Sequence, residues 1–238
     1  METQQLYQTD AYLKTFTAHV VAVEGQAVAL DATAFYPGGG GQPYDLGHLT
    51  AGGLTWPVVK IRRDGALIWH ELEGESLPAV GTRVEGALDW ERRYTLMRTH
   101  TAMHILCGVV WRDYGAKVTG GNMQPLQGRM DFEFESLHRE LVDEIEAKIN
   151  IEVGAARPVR IDFLPRAEAD RHPDLIRTKI SLLPPGITVV RIVEIEGLDV
   201  QADGGTHVAN TREVGPIRIS DYKSKGKINK RLEVTLEG

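Results

Sequence analysis

Only one cysteine, Cys107, occurs in the 238 residues. No internal disulfide can form, so burial must hold the fold together, and a lone thiol suits a reducing compartment. No run approaches the roughly 18 consecutive apolar residues a membrane helix requires, and the opening METQQLYQTDAYLK lacks a basic start followed by an apolar stretch. These absences lead us to expect a cytoplasmic protein with no membrane partner; no obligate protein partner is evident either. Positive charge is not in excess: 27 Lys and Arg stand against 33 Asp and Glu, a formal charge of −6. That excludes a protein that coats nucleic acid over its whole surface, while leaving room for a local basic patch. Repeats are absent, and the sole low-complexity tract is Gly38 to Gly41.

What is present is the balance of an ordinary globular chain, 42% apolar and 25% charged. Segments 16–25, 26–35, 55–61 and 66–74 alternate apolar and polar residues between glycine-rich turns, the pattern of a small β-barrel or sandwich. The character changes at Asp89, where the helix-forming stretch ERRYTLMRTHTAMHILCGVVWRDYG begins. A domain boundary is therefore placed near residue 90, giving domains 1–90 and 91–238. A second helix is expected from Ser136 to about Val153, with Leu137, Leu141, Ile145 and Ile149 on one face and an acidic face outward from Glu140 to Glu152. Strands are expected at 157–164 and 187–197, and a hairpin is expected from GPIRISDY and KRLEVTLE across a KSKGKIN turn. The fold class is thus α+β, with helices packed on an antiparallel sheet in the second half.

His100 and His104 lie four residues apart in the expected helix, so both imidazoles share a face. Two ligands to one metal fit that spacing, as do two structural histidines. A second half-site is available at Asp203-Gly204-Gly205-Thr206-His207, where a carboxylate and an imidazole flank two glycines. Together the four residues offer three nitrogens and one oxygen, although an Asp-Gly-Gly turn followed by a chance histidine would read the same way.

The blocks RTHTAMHIL and DVQADGGTHVANTREVGPI, preceded by ATAFYPGGGGQPYDLGHL, resemble the editing domain shared by alanyl- and threonyl-tRNA synthetases and the freestanding AlaX-type alanyl-tRNA editing proteins. In that order they span residues 32 to 217. The resemblance implies an N-terminal β-barrel carrying the glycine-rich motif, followed by a metal-binding editing domain, as in the medium-length AlaX form. It implies a trans-acting aminoacyl-tRNA deacylase that removes serine, or glycine, from tRNA(Ala) and spares Ala-tRNA(Ala). It assigns a zinc ion to His100, His104, Asp203 and His207. The family motif more often reads Cys-Gly-Gly-Thr-His, so Asp203 replaces a sulfur ligand by oxygen, hardening the site and weakening zinc selectivity against manganese or iron. Cys107, three residues after His104, is a conceivable replacement thiolate. Its distance along the helix axis from His100 argues instead for a small buried apolar residue.

By the same resemblance Thr33 recognises the serine side chain. Gly39, Gly40 and Gly41 bring a loop close to the substrate, Gln42 lines the pocket and Thr206 orients a ligand or a water. Each also has a plain structural reading, as a strand residue, a turn or a local cap. For tRNA phosphates the best cations are Lys223, Lys225, Lys227, Lys230 and Arg231, with Arg92, Arg93 and Arg98 near the helix start. A bound metal could activate water, polarise the ester carbonyl or grip the substrate's amino group, and the sequence does not choose among these. Two other functions share these residues: a non-catalytic tRNA-binding module that has lost its metal, and a metal-dependent hydrolase of another aminoacyl ester.

Overall fold

A computed structural model describes residues 2–172, 175 and 186–238. The chain divides into two compact units, the first ending at Thr95 and the second running from Leu96 to Gly238.

The first unit is built on a closed antiparallel barrel of six strands. A short strand β1 (Gln4–Gln5) pairs in parallel with β4 (Ala32–Thr33). The barrel comprises β2 (Thr15–Glu24), β3 (Ala27–Leu30), β5 (Gly47–Ala51), β6 (Leu54–Asp64), β7 (Leu67–Leu72) and β8 (Arg83–Leu88), in the order β2-β3-β7-β6-β5-β8. Closure leaves these strands without a free edge. Phe16, Ala18 and Val20 point inward from β2, where they meet Leu30, Phe35, Leu49, Val58, Ile68 and Val84. This is the period-two burial that the alternating sequence requires. Strands β5 and β8 add to the four segments expected from sequence.

Helix α1 (Trp90–Tyr114) is capped by Asp89, whose carboxylate accepts the Arg92 N–H at 3.1 Å. In the second unit it is followed by β9 (Val118–Gln124), β10 (Gln127–Glu133), α2 (Arg139–Gly154), β11 (Val159–Pro165) and the single-turn α3 (Arg166–Ala169). After these come β12 (Val189–Ile195), β13 (Asp199–Ala202), β14 (Ile217–Ser224) and β15 (Asn229–Leu236). The strands form two antiparallel sheets, β14-β15-β10-β9 and β11-β12-β13. An α+β fold with an N-terminal barrel is thus what the chain adopts.

The hairpin β9–β10 was not legible in sequence, because glycines at 120, 121 and 128 weaken a strand pattern. Gly128 is there for packing: a Cβ at that position would lie 2.5 Å from Met103 Sδ on α1. Helix α2 begins at Arg139 rather than Ser136, capped by His138, which accepts the Leu141 N–H. Its buried face is accordingly Val142, Ile145, Ile149 and Val153, with Leu137 outside the helix. The acidic face is interrupted too. Glu152 is 4% exposed and binds Arg112 and Arg157, while Glu146 and Asn150 satisfy the free edge of β14 at Ile217 and Ile219. No described helix is long and apolar enough to cross a membrane.

Candidate metal centre

Helix geometry puts His100, His104 and Gly108 on one face of α1, and the loop after β13 carries Asp203 and His207 to it. The four candidate ligand atoms lie within 4.8 Å of one another. His207 Nε2 is 3.0 Å and His100 Nε2 3.7 Å from oxygens of the Asp203 carboxylate. The His100 and His207 rings stack at 4.2 Å, and His104 meets them edge-on at 5.1 and 4.6 Å. All three imidazoles are buried, and the Asp203 side chain is 16% exposed.

Burial dominates the electrostatics. It lowers the pKa of His207 to about 4 and that of His100 well below the ordinary value, although Asp203 pulls both the other way. Burial opposes the charged form of Asp203, but the surrounding imidazoles of His100, His207 and His104 outweigh it and hold the carboxylate well below its usual range. At neutral pH His100 and His207 are therefore uncharged beside one carboxylate, and with His104 they make a donor set that suits a divalent ion.

The loop is held in place by Arg191 on β12, which is 7% exposed and donates to the Asp203 carbonyl oxygen at 2.9 Å. Gly205 N–H donates to Asp203 Oδ2 at 2.7 Å. Thr101 faces His207 Nδ1 at 3.2 Å and accepts the Val208 N–H. Asp199 on β13 accepts from His104 Nδ1 at 2.9 Å. Sequence reading missed Thr101, Arg191 and Asp199. Their only signal was a polar residue placed between the paired histidines or within an apolar strand.

Cys107 is buried, 1% exposed, and its sulfur accepts from Gln201 Nε2 at 3.3 Å; it is outside the ligand cluster. Thr206, fully buried, lies in the same loop as Asp203 and His207. In the barrel unit, Thr33 is fully buried and its hydroxyl lies 2.9 Å from His70 Nε2. His70 Nδ1 faces the Val28 carbonyl oxygen at 3.3 Å, so Nδ1 carries the hydrogen and Nε2 accepts the Thr33 hydroxyl proton. Thr33 also accepts the Phe35 N–H at 3.1 Å. Gly38 to Gly41 all have positive φ, at +86°, +139°, +57° and +91°, and Gly39 and Gln42 exchange backbone hydrogen bonds across the turn. Gln42 is 2% exposed.

The basic residues are unequal. Arg93 is fully buried and bound to Asp45, Ala11 and Ala34 oxygens, which overturns its expected role as a phosphate contact. Arg92 and Arg98 donate to the carbonyls of Tyr44 and Val214. Lys230 is 6% exposed and donates to Ser224, Gly226 and Lys227 oxygens, Arg231 is paired with Asp131, and Lys223 is paired with Glu233. Lys225 and Lys227 stand exposed at the hairpin turn.

The chain is similar to known proteins over nearly its whole length. Residues 190–233 match the family described as the threonyl and alanyl tRNA synthetase second additional domain, and residues 4–92 match the class II (A) tRNA synthetases. The alanyl-tRNA editing protein AlaX-M of Saccharolobus solfataricus is 41% identical over 99% of both chains. That of Methanosarcina barkeri is 38% identical over 98% of this chain and 99% of its own. The alanine–tRNA ligase of Pyrococcus furiosus is 40% identical over 92% of this chain, which corresponds to 24% of the ligase.

Proposed function

Because this chain belongs to the AlaX-M family of alanyl-tRNA editing proteins, we propose that it is a cytoplasmic aminoacyl-tRNA deacylase acting in trans on tRNA(Ala) misacylated with serine or glycine. The observation that carries the reading is the buried cluster of His100, His104, Asp203 and His207. These four side chains would hold one zinc ion, which supplies Lewis-acid chemistry, either to the ester carbonyl or to a water.

Residues of the chain supply the rest. His100 and His207 remain uncharged at neutral pH because burial lowers their pKa values, so their lone pairs are available for coordination. Arg191 and Gly205 fix the Asp203 loop, and Thr101 fixes His207, so the donors are oriented before substrate arrives. Residues 91–238 carry this chemistry. Thr33 is assigned to the serine hydroxyl. With its own hydrogen given to His70, Thr33 presents an acceptor to that hydroxyl. One lone pair of Thr33 already takes the Phe35 N–H, so the second is the one offered to serine, and alanine, lacking a hydroxyl, forgoes that bond. Gly39, Gly40, Gly41 and Gln42 line the approach of the amino acid, and Thr206 orients the loop or a water beside the ligands. Lys225 and Lys227 meet tRNA phosphates.

The test is the deacylation rate of Ser-tRNA(Ala), Gly-tRNA(Ala) and Ala-tRNA(Ala) by protein of measured metal content, with a chelated control. Serine or glycine release that needs metal and spares alanine supports the reading. Metal-free protein that binds tRNA and hydrolyses none of the esters overturns it.

A further inference from the structure

We propose that Asp199 is a positioning residue for the metal site, acting through His104: its carboxylate fixes which imidazole nitrogen is free to coordinate and strengthens that nitrogen as a ligand. This rests on the metal reading of the four-residue cluster given above.

Asp199 is not one of the four candidate ligands. It is 3% exposed, at the start of β13, and its Oδ2 lies 2.9 Å from His104 Nδ1 and 2.8 Å from Gln201 Nε2. A carboxylate oxygen only accepts, and the amide nitrogen of Gln201 only donates. The hydrogen of His104 therefore sits on Nδ1, and the lone pair is on Nε2, available to the cluster formed with His100, Asp203 and His207. An anion behind Nδ1 also raises the electron density of the ring, so Nε2 binds a cation more strongly. Gln201 restrains the carboxylate at the same oxygen and extends the contact to Cys107 Sγ.

The helix is shaped to admit this carboxylate. Gly108 lies one turn beyond His104, and a Cβ there would come within 2.9 Å of Leu198 Cγ and 3.1 Å of Asp199 Cβ. Only glycine lets the start of β13 approach α1 closely enough for Asp199 to reach the ring. A buried carboxylate is costly unless it is paired or hydrogen-bonded. Here Oδ2 accepts from a candidate ligand and from a neighbouring strand residue that also touches the helix.

A contact that served packing alone would use the same distance and makes a different forecast: removing the carboxylate's charge would leave zinc affinity unchanged. We expect the Asp199→Asn full-length protein to bind zinc about 10- to 100-fold more weakly than the parent in chelator competition, since a neutral amide neither enforces the tautomer nor donates electron density. Asp199→Glu should recover part of that loss. Zinc affinity of Asp199→Asn equal to or above the parent overturns the proposal while leaving the deacylase reading intact. If the variant does not fold, nitrogen-15 spectroscopy of the zinc-loaded parent decides: a hydrogen on His104 Nδ1 supports the proposal, and one on Nε2 overturns it. A parent chain that takes up no zinc overturns the metal reading and this inference with it, whereas zinc uptake without ester hydrolysis overturns the deacylase reading alone.

Discussion

At the scale of single residues, Asp203 is where this chain departs most clearly from the sulfur-containing pattern it resembles. An oxygen ligand beside three imidazoles is harder than a thiolate, and Arg191 and Gly205 N–H brace it within the loop. We expect Asp203→Cys to retain turnover and to shift preference toward zinc over manganese, read as the ratio of the two affinities. His104→Ala or His207→Ala should remove both bound metal and activity, and unchanged rates would sink the ligand assignment. Thr33 gives a second residue-scale test. Thr33→Val removes the acceptor offered to a serine hydroxyl, so the preference for Ser-tRNA(Ala) over Ala-tRNA(Ala) should fall by about 10- to 100-fold, the worth of one buried hydrogen bond.

His70 links the same hydroxyl to stability. Burial lowers its pKa from 6.5 to about 4, despite the Val28 carbonyl pulling the other way. As pH falls, the unfolded chain takes up this proton first, so the contribution of neutral His70 is fully present above 6.5 and drains away between 6.5 and 4. The whole shift corresponds to about 3 kcal/mol. Urea midpoints measured across that window should fall for the parent protein and fall less for His70→Gln; parallel curves would show that His70 does not bear the pH dependence.

At the scale of elements, the site depends on how closely strands come to α1. The paired histidines were legible because a helix repeats its face every three or four residues, and α1 runs from Trp90 to Tyr114, close to the expected stretch. The aspartate and histidine of the DGGTH segment were legible because the two glycines mark a tight turn. What the sequence did not disclose is governed by contact across elements. Gly128 makes β10 look like a loop until Met103 is seen packed over it, and Asp199 looks like a strand residue until Gly108 admits it to His104. Thr101, Arg191 and Arg93 were likewise opaque, since partners far apart in the chain define them. Gly108→Ala tests this scale. Alanine suits a helix better than glycine by about 1 kcal/mol, yet its methyl must displace Leu198 or Asp199. The expected outcome is a folded protein whose zinc affinity falls in step with Asp199→Asn. A gain in stability without loss of zinc would show that β13 has room to move. The Asp45–Arg93 pair, fully buried on both sides, ties the segment after the glycine run to the first turn of α1. Arg93→Met leaves the Asp45 carboxylate without that charge and should destabilise the first unit by about 3–5 kcal/mol, read by urea titration.

At the scale of the whole molecule, a chain of charge −6 that acts on tRNA must concentrate its affinity at a few cations. The expected cations are not equally available, because Arg93 and Lys230 are buried and Arg231, Lys223, Arg92 and Arg98 are held by oxygens of the chain itself. Lys225 and Lys227, exposed at the β14–β15 turn, remain the best placed of the row. Each phosphate contact contributes about 0.7 to 0.9 to the slope of log affinity against log salt concentration. Replacing both lysines by alanine should therefore flatten the slope by about 1.4 to 1.8 and weaken binding of tRNA. Turnover at saturating substrate should be preserved, because neither lysine belongs to the metal cluster. The distinction lies in which quantity moves. A lower slope with constant saturating rate places these lysines on the RNA backbone, whereas an unchanged slope means that other cations, among them ones now paired with carboxylates, are recruited when tRNA binds.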